Sequence, residues 1–315
     1  MKSKNIHTII KKMLAVTFAA MLMAGCATGC QESSDNGTDT KTDTTVQDSK
    51  KDESSKNIED ESDKSNSSAE ESKSVISETP ASNFEYMEEE GNIIITKYIE
   101  NDDKVVIPSS INGKNVTGIG EDAFYNSNKL TEITIPDSVT SIGNDAFMNC
   151  TELPYIRIPD GVNSIGSWAF HNCSNLTNIT LPENLTNIGE SAFEDCIRLE
   201  SIQIPKSVTI IDYSTFHNCS SLTSVELSEG VTSIKQGAFA GCYSLANIII
   251  PDSLTYIGFL SFNGCSSLTN ITIPDSVTKI ETDAFNYCTN LTITGKSGSY
   301  AETFAKEQKI PFKSL

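Results

Sequence analysis

The chain has 315 residues, of which 42 are acidic and 23 are Lys or Arg, so its formal net charge is −19 at pH 7. This charge argues against nucleic acid as a partner, because binding phosphates requires a basic face. The length alone is typical of about two globular domains, but the internal repeat described below replaces that estimate.

The first 25 residues have the features of a secretion signal. Four lysines within residues 1–12 precede an apolar run at 13–25 that is too short to span a bilayer stably. The run ends Met23-Ala24-Gly25-Cys26, which resembles the bacterial lipobox, in which the cysteine is lipidated and becomes the new N-terminus. The resemblance implies a membrane anchor through acyl chains on Cys26. Cys30 is a weaker second acceptor, and an ordinary secretory signal is the alternative.

Residues 26–83 have the composition of a disordered linker. Residues 31–83 hold fourteen acids, six lysines, and no aromatic residue or cysteine. Such a segment cannot bury enough apolar surface to offset the entropy lost on ordering. We therefore expect an acidic Ser/Thr-rich tether that holds the next domain away from the membrane.

Residues 84–104 are predicted to form a β-hairpin. Two β-prone runs at 84–87 and 92–98 flank a turn signal at Gly91. We interpret this hairpin as the N-terminal cap that the exposed end of a solenoid requires. Residues 105–129 then follow the repeat pattern with five extra residues at 111–115.

Seven consecutive copies of a 23-residue repeat fill residues 130–290. They begin at Leu130, Leu153, Leu176, Leu199, Leu222, Leu245 and Leu268. A fixed period of this length is typical of a solenoid, in which stacked repeats share one core. With the irregular first copy, the pattern predicts eight repeats over 105–290.

Each copy contains one clear strand pattern. Numbered from its leucine, the copy has apolar residues at positions 1, 4, 6, 10, 13, 17, 18 and 21. The alternation over positions 3–6 predicts a strand with one buried face, which the proline at position 7 ends. Glycine at position 14 predicts a turn with positive φ. Adjacent Ala and Phe, with Cys three residues after the Phe, predict a short helical or 3-10 return.

The repeat L-x-x-I-x-I-P-x-x-V-x-x-I-G-x-x-A-F-x-x-C resembles the BspA-like leucine-rich repeat of bacterial surface proteins. The resemblance covers 105–293 and implies a mainly-β solenoid with a curved parallel sheet. It also implies exposure on the cell surface and binding to a protein on a host or neighbouring cell. Residues 291–315, with a last strand and a short helix over 299–306, are expected to cap the C-terminal end.

The repeat cysteines are predicted to be free thiols in the core. They occupy position 21 in every copy: Cys150, Cys173, Cys196, Cys219, Cys242, Cys265 and Cys288. Stacked side chains of one phase run parallel, whereas a disulfide needs Cβ vectors that converge. No C-x-x-C or histidine pair provides a zinc motif. His171 and His217 share position 19 two copies apart, roughly 10 Å, and we expect exposed histidines without a shared metal.

We find no enzyme signature in the sequence. The G-x-S-x-G elbow, a phosphate-binding loop and the dinucleotide glycine pattern are all missing, and the carboxylates are scattered. We therefore expect no cofactor and no catalysis.

Two surfaces are candidates for binding a protein. Positions 3 and 5 of the strand should face the concave side, and most carry Ser, Thr or Asn. The exceptions are Tyr155, Arg157 and Ile249, and we include Glu226 among the candidate binding residues. Tyr and Arg are residue types that often anchor interfaces. The alternative is that this polar face of the sheet is solvated and binds nothing.

The second surface, the return patch, consists of large apolar residues at positions 12, 15 and 16. Its members are Trp168, Tyr213, Tyr256, Phe259 and Leu260. Exposed apolar clusters often mark contacts, although these side chains could instead cover the return layer. The leading hypothesis is a lipid-anchored, surface-exposed protein-binding module. The alternative is a structural component of the cell envelope that self-associates.

Overall fold

A computed structural model describes residues 77–315, and these form a solenoid of short strands with one α-helix. The predicted signal at 1–25, the predicted lipidation site Cys26 and the linker through residue 76 lie outside the described residues.

The described strands and helix follow the chain in repeating pairs. They are β1 (Phe84–Glu89), β2 (Asn92–Tyr98), β3 (Lys104–Val106), β4 (Ser110–Ile111), β5 (Lys114–Ile119), β6 (Glu132–Thr134), β7 (Ser141–Ile142), β8 (Tyr155–Arg157), β9 (Ser164–Ile165), β10 (Asn178–Thr180), β11 (Asn187–Ile188), β12 (Ser201–Ile204), β13 (Ile210–Ile211), β14 (Ser224–Leu227), β15 (Ser233–Ile234), β16 (Asn247–Ile249), β17 (Tyr256–Ile257), β18 (Asn270–Thr272), β19 (Lys279–Ile280), β20 (Thr292–Gly295), α1 (Tyr300–Gln308) and β21 (Phe312–Ser314).

Each regular repeat contributes two short strands, one at positions 3–5 and one at positions 12–13. The first row contains pairs such as β8 with β10, and the second contains pairs such as β7 with β9, all parallel. In both rows each residue pairs with its equivalent in the next repeat, as Ile156 does with Ile179. The first row matches the predicted strand, whereas the second row was not predicted, because two residues are too few to show a period.

The return segment over positions 15–22 differs from the predicted helical or 3-10 turn. It is a series of hydrogen-bonded turns, such as Cys150 N–H to the Phe147 carbonyl at 3.1 Å. Alternate N–H groups bond to the next repeat instead, as Phe147 N–H does to the Ala169 carbonyl at 2.7 Å. A helix cannot propagate because half of its donors pair between repeats.

The glycines at position 14 have a different role from the one predicted. Gly143, Gly166, Gly189 and Gly258 do not adopt positive φ. A Cβ on Gly189 would lie 2.5 Å from the backbone nitrogen of Ser167. Glycine is therefore used here because the backbones of neighbouring repeats approach closely.

Positive φ occurs at positions 16 and 20 instead. Asn149 and Asn172 have φ of 64° and 55°, and asparagine tolerates this conformation better than most residues. Each asparagine donates its side-chain amide to the residue at position 20 one repeat earlier. The bonds run from Asn149 to Asn126 at 2.7 Å and from Asn172 to Asn149 at 2.9 Å.

A ladder of phenylalanine rings runs through the core at position 18. It comprises Phe124, Phe147, Phe170, Phe193, Phe216, Phe239, Phe262 and Phe285. Neighbouring centroids lie 5.1–5.5 Å apart with interplanar angles of 11° or less. Such aromatic pairs contribute about 0.5–1.5 kcal/mol each beyond the area they bury.

Both ends of this ladder are closed by other aromatic side chains. Tyr98 of β2 stacks on Phe124 at 5.5 Å, and Phe84 packs on Tyr98 at 5.3 Å. At the other end Phe304 of α1 meets Phe285 edge-on at 6.1 Å. The hairpin and the helix thus cover apolar core that would otherwise face solvent.

The two cap segments have clear local causes. Helix α1 begins after Ser299, whose hydroxyl accepts a hydrogen bond from the Glu302 N–H. The five extra residues of the first repeat form an antiparallel β4–β5 hairpin, with positive φ at Asn112 and Gly113. At the N-terminal side, Thr79 hydrogen-bonds with Val106, so ordered structure begins before the predicted boundary at residue 84.

Replacing Phe193 by Ala should destabilise the protein by about 3–5 kcal/mol, because it removes a fully buried ring together with its stacking contacts to both neighbouring rings. Phe259→Ala, a matched change at a side chain that is 40% exposed, should cost about 1 kcal/mol or less. Guanidinium denaturation monitored by circular dichroism measures both changes. Equal losses would contradict the role assigned to the ladder.

Candidate protein-interaction surfaces

Residues at positions 3 and 5 of the first strand row form one outward surface, the strand face. On every three-residue strand from β6 to β18 the central residue is buried and its two neighbours are exposed. Most of the exposed side chains are Ser, Thr or Asn, which have little apolar area. Binding energy on this face therefore depends on the few larger residues.

Tyr155 and Arg157 form the first group of large residues on the strand face. Tyr155 is 51% exposed and lies beside Asn178 of the next strand. Arg157 lies beside Thr180 and donates to the Asp137 carboxylate at 2.9 Å. Both partners of this ion pair are more than half exposed, so it adds little stability and leaves the guanidinium accessible.

Glu226 and Ile249 form the second group. The two residues are direct cross-strand neighbours, and Ile249 is 69% exposed. A shallow depression of about 310 Å³ adjoins Ile249 and is also lined by Asn247, Asn270 and Thr272. Ile249 is four repeats from Tyr155, which corresponds to about 20 Å at the usual strand spacing.

The residues of the return patch do not form one continuous surface. Tyr213 is 48% exposed and Phe259 is 40% exposed. Trp168 and Leu260 are half-buried and adopt positive φ of 54° and 53°. Trp168 is also separated from Tyr213 by the repeat that carries Glu190 and Ser191 at the same positions. Another repeat separates Tyr213 from Tyr256, Phe259 and Leu260, so the five residues lie in three alternate repeats.

Tyr256 is held by its own surroundings. The amino groups of Lys235 and Lys279 lie 5.5 and 5.6 Å from its ring centre. Its hydroxyl donates to Glu281 at 3.3 Å. Burial first, and then the charge of Glu281, raise the pKa of Tyr256. This side chain is thus partly committed to intramolecular contacts.

Several exposed apolar residues were missed by the sequence analysis. Tyr243 is 54% exposed and Ile197 is 40% exposed, and both occupy position 22. Other copies have Ser or Thr there. The signal that identified the return patch, a large apolar residue at a usually polar position, also marks these two. Ile210, on β13, is exposed as well.

The seven repeat cysteines are free, and all but Cys288 are buried. Each thiol donates to the carbonyl of a phenylalanine 26 residues earlier, as Cys219 does to Phe193 at 3.2 Å. Burial raises the pKa of these thiols, to about 12 for Cys173 and Cys288.

The prediction that His171 and His217 are exposed is wrong. Their side chains are only 19% and 18% accessible, and Glu194 lies between them at 8%. Glu194 occupies position 19 of the intervening repeat, so it forms one column with the two imidazoles. Burial raises the pKa of Glu194. Hydrogen bonds from His217 and Ser191, and the charges of the two imidazoles, lower this pKa by more than burial raises it, so the net shift is downward.

Comparisons with known proteins identify the repeat. The model of the BspA type leucine rich repeat region matches residues 101–223 and 209–296. A crystal structure of a T. pallidum leucine-rich repeat protein is 37% identical, covers 61% of this chain and 91% of its own, and has a TM-score of 0.58. A Bacteroides ovatus leucine-rich repeat protein is 30% identical, with 74% and 66% covered and a TM-score of 0.54. No curated protein matches the chain.

The thiol geometry predicts slow alkylation. Because the thiolate is the nucleophile, a pKa near 12 leaves only about one thiol in ten thousand ionised at pH 8. Iodoacetamide should therefore label the buried repeat cysteines at least about a thousandfold more slowly than a free thiol, with half-buried Cys288 reacting first. Peptide mass spectrometry locates the label, and denatured protein is the control. Rapid labelling of Cys219 in the folded protein would rule out this assignment.

Proposed function

The chain belongs to the BspA-type leucine-rich repeat family, and from this membership and its exposed strand face we propose that it is a surface-displayed, lipid-anchored module that binds a protein on a host or neighbouring cell. Solenoids of this type typically serve as binding scaffolds rather than enzymes. That this chain lacks catalytic activity remains a prediction.

The observation that carries the proposal is the composition of the strand face. Tyr155 and Ile249 are large and more than half exposed on an otherwise small, polar surface. Such residues lose water-exposed apolar area only when a partner covers them, and tyrosine and arginine are enriched among residues that dominate binding energy. The distance between Tyr155 and Ile249, about 20 Å, suits a folded protein that covers roughly 800 Å² of this chain.

The proposed location rests on the sequence of the first 26 residues. A lipidated Cys26 followed by an acidic linker would place the solenoid outside the membrane, within reach of other cells. Among residues 77–315, no helix has the length and apolar character needed to cross a bilayer.

Self-association is the second proposed function, and the return patch favours it. Tyr213 and Phe259 are exposed and lie outside the first strand row that carries the strand face. An apolar contact between two copies would cover these rings and leave the strand face available. Analytical ultracentrifugation distinguishes the two functions, because a protein that remains monomeric at high concentration does not self-associate.

Removing the large residues of the strand face should weaken ligand binding. After capture of a partner from host or neighbouring-cell surface extracts, Tyr155→Ala and Ile249→Ala should each raise Kd about 5- to 30-fold, as loss of a buried interface anchor does. Thr134→Ala and Ser201→Ala, on the same face but outside both groups, are matched controls that should change Kd less than twofold. Surface plasmon resonance measures all four variants.

One result would remove the strand face from consideration. If the Kd for the captured partner is unchanged in Tyr155→Ala, Ile249→Ala and the double variant, while Tyr213→Ala and Phe259→Ala weaken binding, the return patch is the interface. If none of these variants changes Kd, both proposed surfaces are wrong.

Lipidation has a separate test. Cys26→Ala should release the protein into the medium, since the anchoring acyl chains can no longer be attached, whereas Cys30→Ala should leave it with the membrane fraction. Immunoblots of the membrane and medium fractions measure the distribution. Retention of Cys26→Ala together with release of Cys30→Ala would reassign the anchor to Cys30.

A further inference from the structure

Two acidic residues of one repeat lie next to a histidine of the repeat before it. Glu194 and Asp195 occupy positions 19 and 20, while His171 occupies position 19 one repeat earlier. One nitrogen of His171 and one oxygen from each carboxylate lie within 4.8 Å of one another. We call His171, Glu194 and Asp195 the histidine–acid cluster.

The next repeat orients both carboxylates towards His171. His217 Nδ1 lies 3.2 Å from Glu194 Oε1, and Asn218 donates to Asp195 Oδ1 at 2.6 Å. The second oxygen of each carboxylate then faces His171: Glu194 Oε2 lies 3.9 Å from Nδ1, and Asp195 Oδ2 lies 3.9 Å from Nε2. Outer partners that fix the orientation of ligands in this way are typical of metal sites.

The separations are too long for hydrogen bonds, and they leave space for a cation between His171 and the two carboxylates. A nitrogen and an oxygen 3.9 Å apart are not hydrogen-bonded, and His171 Nδ1 is buried without a hydrogen-bond partner among the described residues. Ligands of a tetrahedral Zn²⁺ lie about 3.3 Å from one another. Because the two carboxylates face different nitrogens of His171, binding of one ion by all three groups requires the imidazole to rotate so that one nitrogen faces both oxygens.

We propose that the histidine–acid cluster binds a divalent transition-metal ion of the Zn²⁺ class. His171 supplies the imidazole ligand, and Glu194 and Asp195 supply one carboxylate oxygen each. His217 and Asn218 are positioning residues that hold the two carboxylates. The side chain of Asp195 is 34% accessible, so solvent reaches the cluster.

The donor set favours this class of ion over Ca²⁺ and Mg²⁺. An imidazole ligand suits zinc, copper or nickel, whereas the alkaline-earth ions take mainly oxygen ligands. The nearby thiol of Cys196 is directed into the core, where it donates to the Phe170 carbonyl at 3.2 Å. Thiolate coordination therefore has no part in the site.

The ion would connect neighbouring repeats. Its ligands come from two consecutive repeats, and the residues that position them come from a third. A ligand that binds only the folded state stabilises it, so Zn²⁺ at a hundredfold excess over Kd should raise Tm by about 5–10 °C.

Isothermal titration of the full chain with Zn²⁺ tests the proposal. The chain carries Cys26→Ser and Cys30→Ser substitutions so that thiols outside the repeats cannot bind, and it is first stripped with a chelator. We expect one ion per chain with a Kd of about 1 μM. Glu194→Gln and His171→Asn should each weaken binding at least tenfold. Glu190→Gln removes a neighbouring carboxylate outside the cluster and should leave Kd unchanged.

Two further measurements separate the site from a general effect of charge. Circular dichroism melts in chelator identify variants that fail to fold, and visible absorption of bound Co²⁺ reports ligand geometry directly. Stoichiometric binding that is lost in Glu194→Gln and kept in Glu190→Gln supports the site. Absence of one-to-one binding by the unsubstituted cluster, or equal binding by both glutamine variants, overturns it.

Discussion

Parallel, in-register pairing of neighbouring repeats is the interaction on which the rest of the structure depends. It places every side chain beside its equivalent 23 residues away, as with Ile142 and Ile165. Rings therefore stack on rings, and thiols meet the same carbonyl at every step. A residue that suits one repeat suits the next, so a single 23-residue pattern can fill a core of any length.

This constraint explains why the fold could be predicted in outline. The period, the buried positions and the free cysteines all follow from stacking identical units. Features that depend on backbone geometry between repeats could not be predicted. Gly189 was predicted to be a turn residue. It is required for another reason, because a Cβ at this position would lie 2.5 Å from the backbone nitrogen of Ser167 in the preceding repeat. The strand Ser141–Ile142 is too short to produce a sequence signal.

The same constraint explains what sequence reasoning missed at the candidate sites. Positions 3, 5 and 22 face outward and need not satisfy the core, so large residues there cost little stability. Sequence comparison between copies finds such residues one position at a time, and it found Tyr155 but overlooked Tyr243. It did not reveal combinations across copies. His171 and His217 looked isolated because the acid between them, Glu194, belongs to an intervening repeat.

The position of Glu194 argues that this column of side chains is more than a solvated stripe. At position 19 the other copies carry Tyr125, Met148, Ala240, Asn263 and Asn286, none of which is charged. Burying a carboxylate there costs desolvation energy that must be offset by a cation or by hydrogen bonds. Hydrogen bonds from His217 and Ser191, together with the imidazole charges, outweigh that cost, because the net shift of the Glu194 pKa is downward. The oxygen of Glu194 that faces His171 at 3.9 Å lies too far away for a hydrogen bond with the imidazole, and this gap leaves space for a cation between the two groups.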